Sequence, residues 1–516
     1  MSDADAAPDG PQDGEQARLI ASGSIVQQIA QVSGLLAMFV VITVLARRLS
    51  LAELGVYGLL TSLAGYLLVI QNAAATAAVR GMAAAKDQEA RDRTFSTAAA
   101  VFALAGIASG LLMALIGIVL SLAVGLSDDL ERQAIQGSLL IGAVTVVGWP
   151  LTIYRDALRA GQLFVRAAVM DIVGMLTYAA VLLALIAADA DLAILIGASG
   201  TIPLFAGLAS MLAVRLRGMP FRLRPRAADR EEARALLRMA GYISSTEAAG
   251  VVIYALDRAV LGLFQSAATV GLYEGPVRAH NLVRALNGAV GVTTLPSASK
   301  YLAENDSARV KELLLRGSRY TLVLVLPLTV TGMVLAAPIL EVWLGERYGE
   351  GGPAMAILLA YWLVTGSVGV AAAVAIAAGK ARELAKLAWA VALANLALSL
   401  ALTPWIGLEG VAIGTTLPYL VVFPFQLRLV LPVAGVSIRE LVEQVWVPAY
   451  TLGLALAAAL VAARLLLSPD TAVVVIAIAG AGVLVYWIAY YALWLRPHER
   501  KLIGDTARTL LSGGRR

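Results

Sequence analysis

The sequence is poor in charge and has no cysteine. Only 15% of its 516 residues are charged, 59% are hydrophobic, and the mean hydropathy is +0.80. Soluble domains carry about 25% charged residues, so this composition argues against a soluble multidomain enzyme. The absence of cysteine excludes disulfides and thiolate ligands, and the two histidines, His280 and His498, are far apart in sequence. We therefore expect no metal and no other cofactor.

Long apolar runs identify an integral membrane protein. Runs such as Leu452–Ala463 and Ala472–Tyr486 have no charged face, and a membrane-spanning helix needs about 20 mostly apolar residues. This criterion predicts fourteen spans, near residues 23–46, 54–79, 96–125, 134–154, 167–188, 192–214, 237–264, 270–298, 318–340, 353–378, 387–405, 410–427, 447–466 and 472–495. Segment 270–298 is the least hydrophobic, so twelve or thirteen spans is the alternative.

The distribution of basic residues predicts that both termini are cytoplasmic. Of the 40 Lys and Arg residues, 32 fall on the side of the N-terminus, five on the other side and three inside spans. Basic residues concentrate in cytoplasmic loops, so the net charge of +5 reflects topology rather than nucleic-acid binding. The first eighteen residues are acidic, unlike the start of a signal peptide, and we expect a disordered tail.

The longest predicted inside loop follows the sixth span. It contains eight arginines, namely Arg215, Arg217, Arg222, Arg224, Arg226, Arg230, Arg234 and Arg238. Control of topology and contact with anionic lipid are its simplest roles. The predicted parts of the chain are an acidic cytoplasmic tail at 1–18, an N-lobe at 19–214, a basic cytoplasmic linker at 215–236, a C-lobe at 237–427, spans thirteen and fourteen at 428–495, and a basic cytoplasmic tail at 496–516.

Two matches indicate an internal duplication. Ser50–Tyr57 and Ser266–Tyr273 share Ser, Ala, Gly and Tyr at an offset of 216 residues, and Ala160-Gly161 matches Ala378-Gly379 at an offset of 218. Six spans is an even number, so the two halves insert in the same direction as parallel repeats. We predict an all-α polytopic membrane protein with two pseudo-repeated six-helix lobes around a central cavity and two C-terminal helices, a layout typical of transporters.

Charged residues inside spans are costly and concentrate in spans seven and eight. They are Glu247, Asp257, Arg258, Glu274, Arg278 and Arg284. At about 1.5 Å per residue, Asp257 lies ~12 Å and Arg278 ~14 Å from the turn between these spans, which predicts that they pair. Glu247 and Arg284 form a second possible pair, and Glu274 is four residues from Arg278 on one helix face. Either these charges neutralise one another, or the arginines bind an anionic substrate in a hydrated cavity.

Other candidate polar residues lie in spans one and five. Gln27 and Gln31 share a helix face and suit either sugar hydroxyls or contacts with neighbouring helices. Asp171, near the cytoplasmic end of span five, joins Glu247 and Asp257 as a carboxylate for ion coupling or charge pairing. No G-x-x-x-x-G-K-[ST] loop is present, so energy must come from a gradient or a partner.

Five motifs in chain order carry a family resemblance. They are Ala46–Ser50 with Gly55–Tyr57, Leu256–Gly262 through Gly271–Tyr273, Leu295-Pro296, Trp343–Tyr348 and Pro404–Ala412. They resemble bacterial polysaccharide (O-antigen-type) flippases of the multidrug/oligosaccharidyl-lipid/polysaccharide superfamily. The resemblance implies two rocking six-helix lobes with two extra helices. It also implies a transporter, not an enzyme, that moves a polyprenyl-diphosphate-linked oligosaccharide from the cytoplasmic to the outer leaflet of the inner membrane.

The resemblance also implies a site. In the related lipid II flippases, cavity arginines engage the diphosphate, and Arg278 matches one on span eight, with Arg284 and Arg258 as further candidates. Those relatives carry arginines in span one, where this chain has glutamines. The expected partners are the lipid-linked oligosaccharide, membrane lipids, and polysaccharide polymerase and chain-length machinery, with no nucleic acid.

Two other functions stay open at this point. A multidrug/toxin antiporter of the same superfamily usually has twelve spans and an acidic cavity for cationic drugs. A membrane glycan polymerase or ligase needs sizeable outside loops with catalytic acids. Fourteen spans and cavity arginines argue against the antiporter. The longest outside loop, Glu341–Gly352, has about a dozen residues, too few for the polymerase or ligase.

Overall fold

The computed structural model describes residues 26, 30, 33–217, 219, 221–367, 369–467, 471–495, 497 and 499–501. Within these residues the regular structure is entirely helical. Gln27, Gln31, His498 and the predicted acidic tail lie outside them.

The helices follow one another with short connections. In the first half they are α1 (33–48), α2 (Leu51–Ala84), α3 (Gln88–Ala123), α4 (Asp128–Leu151), α5 (Ile153–Ala160), α6 (Phe164–Ala187), α7 (Leu192–Ser199) and α8 (Ile202–Leu216). In the second half they are α9 (Arg230–Phe264), α10 (Ala267–Ala303), α11 (Ser307–Val334), α12 (Ala336–Leu344), α13 (Gly352–Thr365), α14 (Gly369–Ala377), α15 (Ala381–Val430), α16 (Ile438–Leu441), α17 (Val447–Leu467) and α18 (Ala472–Leu493).

The protein is a multi-pass membrane protein. Among the described residues, seven helices are long and apolar enough to cross a membrane, and two pairs bent by 46° and 49° bring the number to nine. Helices α2, α9 and α10 contain 34, 35 and 37 residues, enough to span the hydrocarbon core at about 1.5 Å per residue, although α9 and α10 carry more polar side chains. Thirteen of the predicted spans fall on described helices or helix pairs, and residues 33–46 of the first span, 23–46, lie on α1.

A glycine divides the longest helix. Gly407, inside the 50-residue α15, has φ 58° and ψ −126°, a conformation that only glycine adopts without strain. The predicted spans 387–405 and 410–427 lie on either side of it. A Cβ atom on Gly410 would lie 2.7 Å from the Thr403 amide nitrogen. The two halves of α15 therefore fold back on each other, and the absence of a side chain at Gly410 permits their close packing.

The chain forms two compact units. The N-terminal unit comprises Met1–Val251 with Gly262–Gly271, and its core brings α2, α3 and α5 together around residues such as Phe95 and Trp149. The C-terminal unit comprises Val252–Leu261 with Leu272–Arg516, and its core joins α11, α14, α15, α17 and α18.

The repeated Ser–Gly–Tyr motif has a structural cause in the N-terminal unit. Ser50 caps α2 by accepting a hydrogen bond from the Glu53 amide at 3.2 Å, and Ser266 accepts from the Thr269 amide at the same distance. A Cβ atom on Gly55 would overlap the Ala267 carbonyl oxygen, and one on Gly271 would overlap the Leu51 carbonyl oxygen. The first turns of α2 and α10 thus cross at backbone contact, which requires glycine in both copies of the motif.

Replacing Gly55 with alanine should lower the thermal unfolding temperature of the detergent-solubilised protein. The new methyl group has no space at the crossing, and overpacking of this kind costs about 1–3 kcal/mol. Gly480→Ala in α18 is the matched control because nothing lies within 4 Å of its added Cβ atom. We expect that control to unfold at or slightly above the wild-type temperature; equal unfolding of the Gly55→Ala variant would contradict the close crossing.

Candidate functional site

Helices α9 and α10 bring the predicted charged residues together. A two-residue turn at Gln265–Ser266 joins them, so residues equally far from Ser266 lie opposite each other. Arg258 and Glu274 are both eight residues from it, and they form an ion pair with 2.5 Å between Arg258 Nε and Glu274 Oε1.

Glu274 also binds a second arginine. Arg278 Nη2 lies 2.9 Å from Glu274 Oε2, the i, i+4 contact that the spacing predicted. The Glu274 side chain is fully buried, and that of Arg278 is 22% exposed. We call Arg258, Glu274 and Arg278 the arginine–glutamate triad. Within the triad two guanidinium groups share one carboxylate, and the buried Nε of Arg278 has no hydrogen-bond partner in the described part of the chain.

Asp257 does not join this triad, so the predicted Asp257–Arg278 pair is wrong. Asp257 Oδ2 instead accepts hydrogen bonds from the Tyr273 hydroxyl at 2.6 Å and the Thr415 hydroxyl at 3.1 Å. A similar depth on two neighbouring helices does not make two side chains face each other, because successive residues on a helix point about 100° apart. Asp257 and Arg258 therefore face different neighbours.

The surroundings of Asp257 are rich in neutral oxygen and amide groups. Thr415 Oγ1 also accepts a hydrogen bond from Asn395 Nδ2 at 2.9 Å. Asp257 Oδ1 is buried and has no hydrogen-bond partner among the described residues. A buried carboxylate with a free acceptor oxygen and adjacent hydroxyl groups can take up a proton or a small hard cation, since such cations prefer oxygen ligands.

A cavity of about 450 Å³ lies in the C-terminal unit, between α10, α13, α14 and α15. Its polar and aromatic lining residues are Asn287, Tyr361, Thr365, Tyr419 and Gln426. Arg284 is exposed and lies one helical turn before Asn287 on α10. The cavity therefore combines aromatic faces and amide groups with a nearby cation, a composition suited to a polar ligand.

His280 supports the aromatic wall of this cavity. Its ring centroid lies 5.5 Å from that of Tyr361 and 5.3 Å from that of Trp362, and Nδ1 lies 3.0 Å from the Leu358 carbonyl oxygen. Tyr361 in turn packs edge-on against Tyr419 at 4.3 Å. His280 is therefore a packed polar residue that fixes α10 against α13.

Asp171 belongs to a balanced ionic network in the N-terminal unit. Arg159 Nη2 and Arg155 Nη1 donate to its carboxylate at 3.0 and 3.4 Å, and the fully buried Asp156 lies 3.5 Å from Arg155 Nε. Two arginines and two carboxylates leave no surplus charge, which favours a pairing role for Asp171. The sequence did not point to the other three residues, Arg155, Asp156 and Arg159. They follow the predicted span 134–154 and were expected in a loop, whereas they lie on α5.

Three other predicted site residues lie outside the described part of the structure. They are the side chain of Glu247 on α9, and Gln27 and Gln31 near the start of the chain.

The structure adds a buried ion pair that the sequence did not suggest. Arg319 on α11 contacts Glu499, to which the Tyr320 hydroxyl also donates at 2.7 Å. The partners are 180 residues apart, so no local pattern connects them.

The Glu274→Gln variant should be strongly destabilised. It leaves two arginines without their shared carboxylate, and breaking a buried ion pair costs about 3–5 kcal/mol. The double variant Arg258→Gln/Glu274→Gln should lose less than the sum of the two single variants in thermal unfolding. Glu443→Gln is the control: it removes an exposed pair with Arg439 at 2.7 Å, for which we expect a change below about 1 kcal/mol. Additive losses would contradict the coupling.

Comparison with known proteins places this site in a wider context. The model of a family described as "Polysaccharide biosynthesis protein" matches residues 44–352. The structure is similar to that of the lipid II flippase MurJ in an inward closed conformation, with TM-score 0.71 and 15% identity over 92% of this chain and 100% of that one. It is also similar to an inward-facing multidrug resistance MATE family transporter of the MOP superfamily, with TM-score 0.68 and 14% identity over 80% and 99%.

No curated protein sequence matches this chain. At 14–15% identity the structural likeness establishes the fold alone. Together with the match to the family model, it confirms the resemblance that the sequence motifs indicated.

Proposed function

Because the chain belongs to the polysaccharide biosynthesis protein family, we propose that it is a flippase for polyprenyl-diphosphate-linked oligosaccharides. The proposed direction is from the cytoplasmic to the outer leaflet of a bacterial inner membrane, by alternating access, with both termini in the cytoplasm. The product would serve O-antigen, capsule or exopolysaccharide synthesis. The flippase title of one structural neighbour, a protein that acts on lipid II, is consistent with this proposal.

The arginine–glutamate triad is the observation that carries the proposal. A diphosphate is a multivalent anion, and guanidinium groups bind its oxygens with a rigid fork of donors. Glu274 holds Arg258 with one carboxylate oxygen and Arg278 with the other, while the buried Nε of Arg278 has no partner among the described residues. Inside a membrane an unused guanidinium donor is costly unless a ligand or water satisfies it, so Arg278 is suited to an anionic group.

The neighbouring cavity suits the sugar part of the same substrate. Asn287 lies nine residues after Arg278 on α10, or about 14 Å along the helix axis. The faces of Tyr361 and Tyr419 can pack against the C–H faces of sugar rings, while Asn287 and Gln426 can hydrogen-bond to hydroxyl groups. In this proposal Arg284 lies between the diphosphate and the glycan.

The main alternative, export of cationic drugs, fits this geometry less well. A cationic substrate needs an excess of negative charge or an open aromatic face. The triad presents two guanidinium groups, and Asp257 is enclosed by the hydroxyl groups of Tyr273 and Thr415, which leaves no room for a drug-sized cation. Repulsion from Arg258 and Arg278 disfavours a cationic drug beside the triad.

The Arg278→Gln variant should accumulate lipid-linked intermediate in the cytoplasmic leaflet and lose surface polysaccharide. Removing a hydrogen bond to a charged group costs about 1.5–3 kcal/mol, which corresponds to a drop of roughly 10- to 100-fold in substrate affinity. Glu274 keeps Arg258 as its partner, so the fold should survive. The measurement is surface polymer and intermediate in cells with equal amounts of protein in the membrane.

Two matched variants accompany this experiment. Arg278→Lys keeps the charge but not the fork, and should retain part of the activity. Arg316→Gln removes an arginine whose side chain is 41% exposed and pairs with Glu312 at 2.6 Å, and should leave surface polymer unchanged. Normal surface polymer in the Arg278→Gln variant would rule out the proposed diphosphate site.

Asp257 is the proposed coupling residue. In proteoliposomes, an imposed proton or sodium gradient should stimulate flipping by the wild type. Asp257→Asn should abolish this response, because an amide cannot gain or lose the charge, while Thr415→Val should weaken it by removing one hydrogen-bond donor. A full gradient response in the Asp257→Asn variant would assign coupling to another group.

A further inference from the structure

The basic linker (residues 215–236) is fixed to the N-terminal unit by its backbone. The amide groups of Arg222, Arg224 and Asp229 donate hydrogen bonds to side chains on α3. Their acceptors are Asp92 Oδ1 at 3.1 Å, Ser96 Oγ at 2.8 Å and Thr97 Oγ1 at 3.0 Å. The side chains at the start of α3 thus provide the partners that an irregular backbone segment needs, and the linker follows this helix closely.

Side chains of the linker anchor it to α3 at both ends of this run. Phe221 is buried, with its ring 5.7 Å from that of Phe95. Glu232, at the other end, accepts hydrogen bonds from Thr94 and from Thr97, the latter at 3.4 Å. The linker therefore has hydrophobic and polar anchors besides its arginines, of which Arg224 also contacts α3, with 3.3 Å between its Nε and Asp92 Oδ2.

This anchoring leaves the arginine side chains on the outer surface. All eight, from Arg215 to Arg238, are exposed. Against them the same segment has three acidic residues, of which Glu232 binds the α3 threonines and Asp229 accepts from the Glu232 amide at 2.8 Å. The outward-facing charge is thus strongly positive over a short stretch of surface.

Exposed leucines accompany these arginines. Leu216 ends α8 and is 77% exposed, Leu223 lies between two arginines and is 51% exposed, and Leu237 in α9 is 55% exposed. Helix α8 is the second half of a bent pair that is apolar enough to cross a membrane, and it ends where the linker begins. The linker therefore lies where the chain leaves the hydrocarbon core. Arginine heads with apolar side chains between them are typical of segments that rest at the lipid headgroup boundary.

We infer that the basic linker binds the phosphate groups of anionic phospholipids at the membrane surface. The arginines supply charge and hydrogen-bond donors, and the exposed leucines contact the acyl chains beneath the headgroups. Juxtamembrane Lys and Arg residues contribute about 1 kcal/mol each near an anionic bilayer. A role in topology alone requires positive charge during insertion but predicts no lipid preference afterwards. The inference does not depend on which substrate is transported.

The absence of cysteine allows a direct test in the intact protein. A single cysteine at the exposed Ala228 is labelled with an environment-sensitive dye, and the protein is reconstituted into phosphatidylcholine vesicles. Brominated phosphatidylglycerol should quench the dye at least about twofold more than brominated phosphatidylcholine at the same mole fraction. High salt should remove the difference. A label at the exposed Ala381, between Lys380 and Arg382, is the control and should show no preference.

The result against the proposal is equally clear. Equal quenching by the two lipids at Ala228, or an equal preference at Ala381, would overturn lipid binding by the linker. Inorganic phosphate at matched ionic strength should not change the preference. If it removes the preference, the linker holds free phosphate rather than a bilayer surface, and the inference is wrong.

A charge-matched pair of variants gives a second test. Replacing Arg217, Arg222, Arg226 and Arg230 with lysine keeps the charge that sets topology, whereas glutamine removes it. The lysine variant should retain most of the preference for phosphatidylglycerol, and the glutamine variant should lose it. Accessibility of the Ala228 label from outside the vesicle shows whether each variant has inserted normally. A correctly inserted glutamine variant with the wild-type preference would exclude these arginines as the lipid-binding groups.

Discussion

The arrangement of α9 and α10 depends on the ion pairs that the fully buried carboxylate of Glu274 forms with two arginines. An arginine without a partner is costly in a low-dielectric environment, and Glu274 accepts a contact from both Arg258 and Arg278. Because Arg258 must reach Glu274, the facing register of the two helices is fixed. The same register turns Asp257, one residue earlier, toward Tyr273 and Thr415. A single ion pair therefore separates the group suited to an anion from the group suited to a proton or cation.

Three groups of charged residues differ in how their charges are paired. In the N-terminal unit two carboxylates, Asp156 and Asp171, pair with the two arginines of α5 and join α5 to α6. In the triad, two arginines share Glu274, and Arg278 Nε has no partner among the described residues. The linker arginines are exposed, and backbone hydrogen bonds to α3 hold the linker. A closed set of ion pairs is suited to structure, whereas guanidinium donors left available at a fixed position are suited to a ligand or a surface.

The sequence predicted the features that depend on local pattern. Apolar length located the helices, the i, i+4 spacing predicted the contact of Glu274 with Arg278, and the repeated Gly55 and Gly271 pointed to a duplication whose copies meet at a helix crossing. Local sequence pattern did not predict the contacts between distant segments. Nothing near Asp257 indicates Thr415, which lies 158 residues away. The error over Asp257 and Arg278 arose within a single hairpin, because distance along a helix does not give the direction of a side chain.

The pair formed by Arg319 and Glu499 has a consequence for biosynthesis. Arg319 enters the membrane region with α11, but its carboxylate partner is 180 residues further along the chain. At about 5–20 residues per second, the ribosome needs on the order of ten to forty seconds to make that stretch. During this time the guanidinium group must be hydrated or must contact lipid phosphate. Helix α11 can form this contact only after the segment that follows α18 has been made, so this part of the C-terminal unit is completed late in folding.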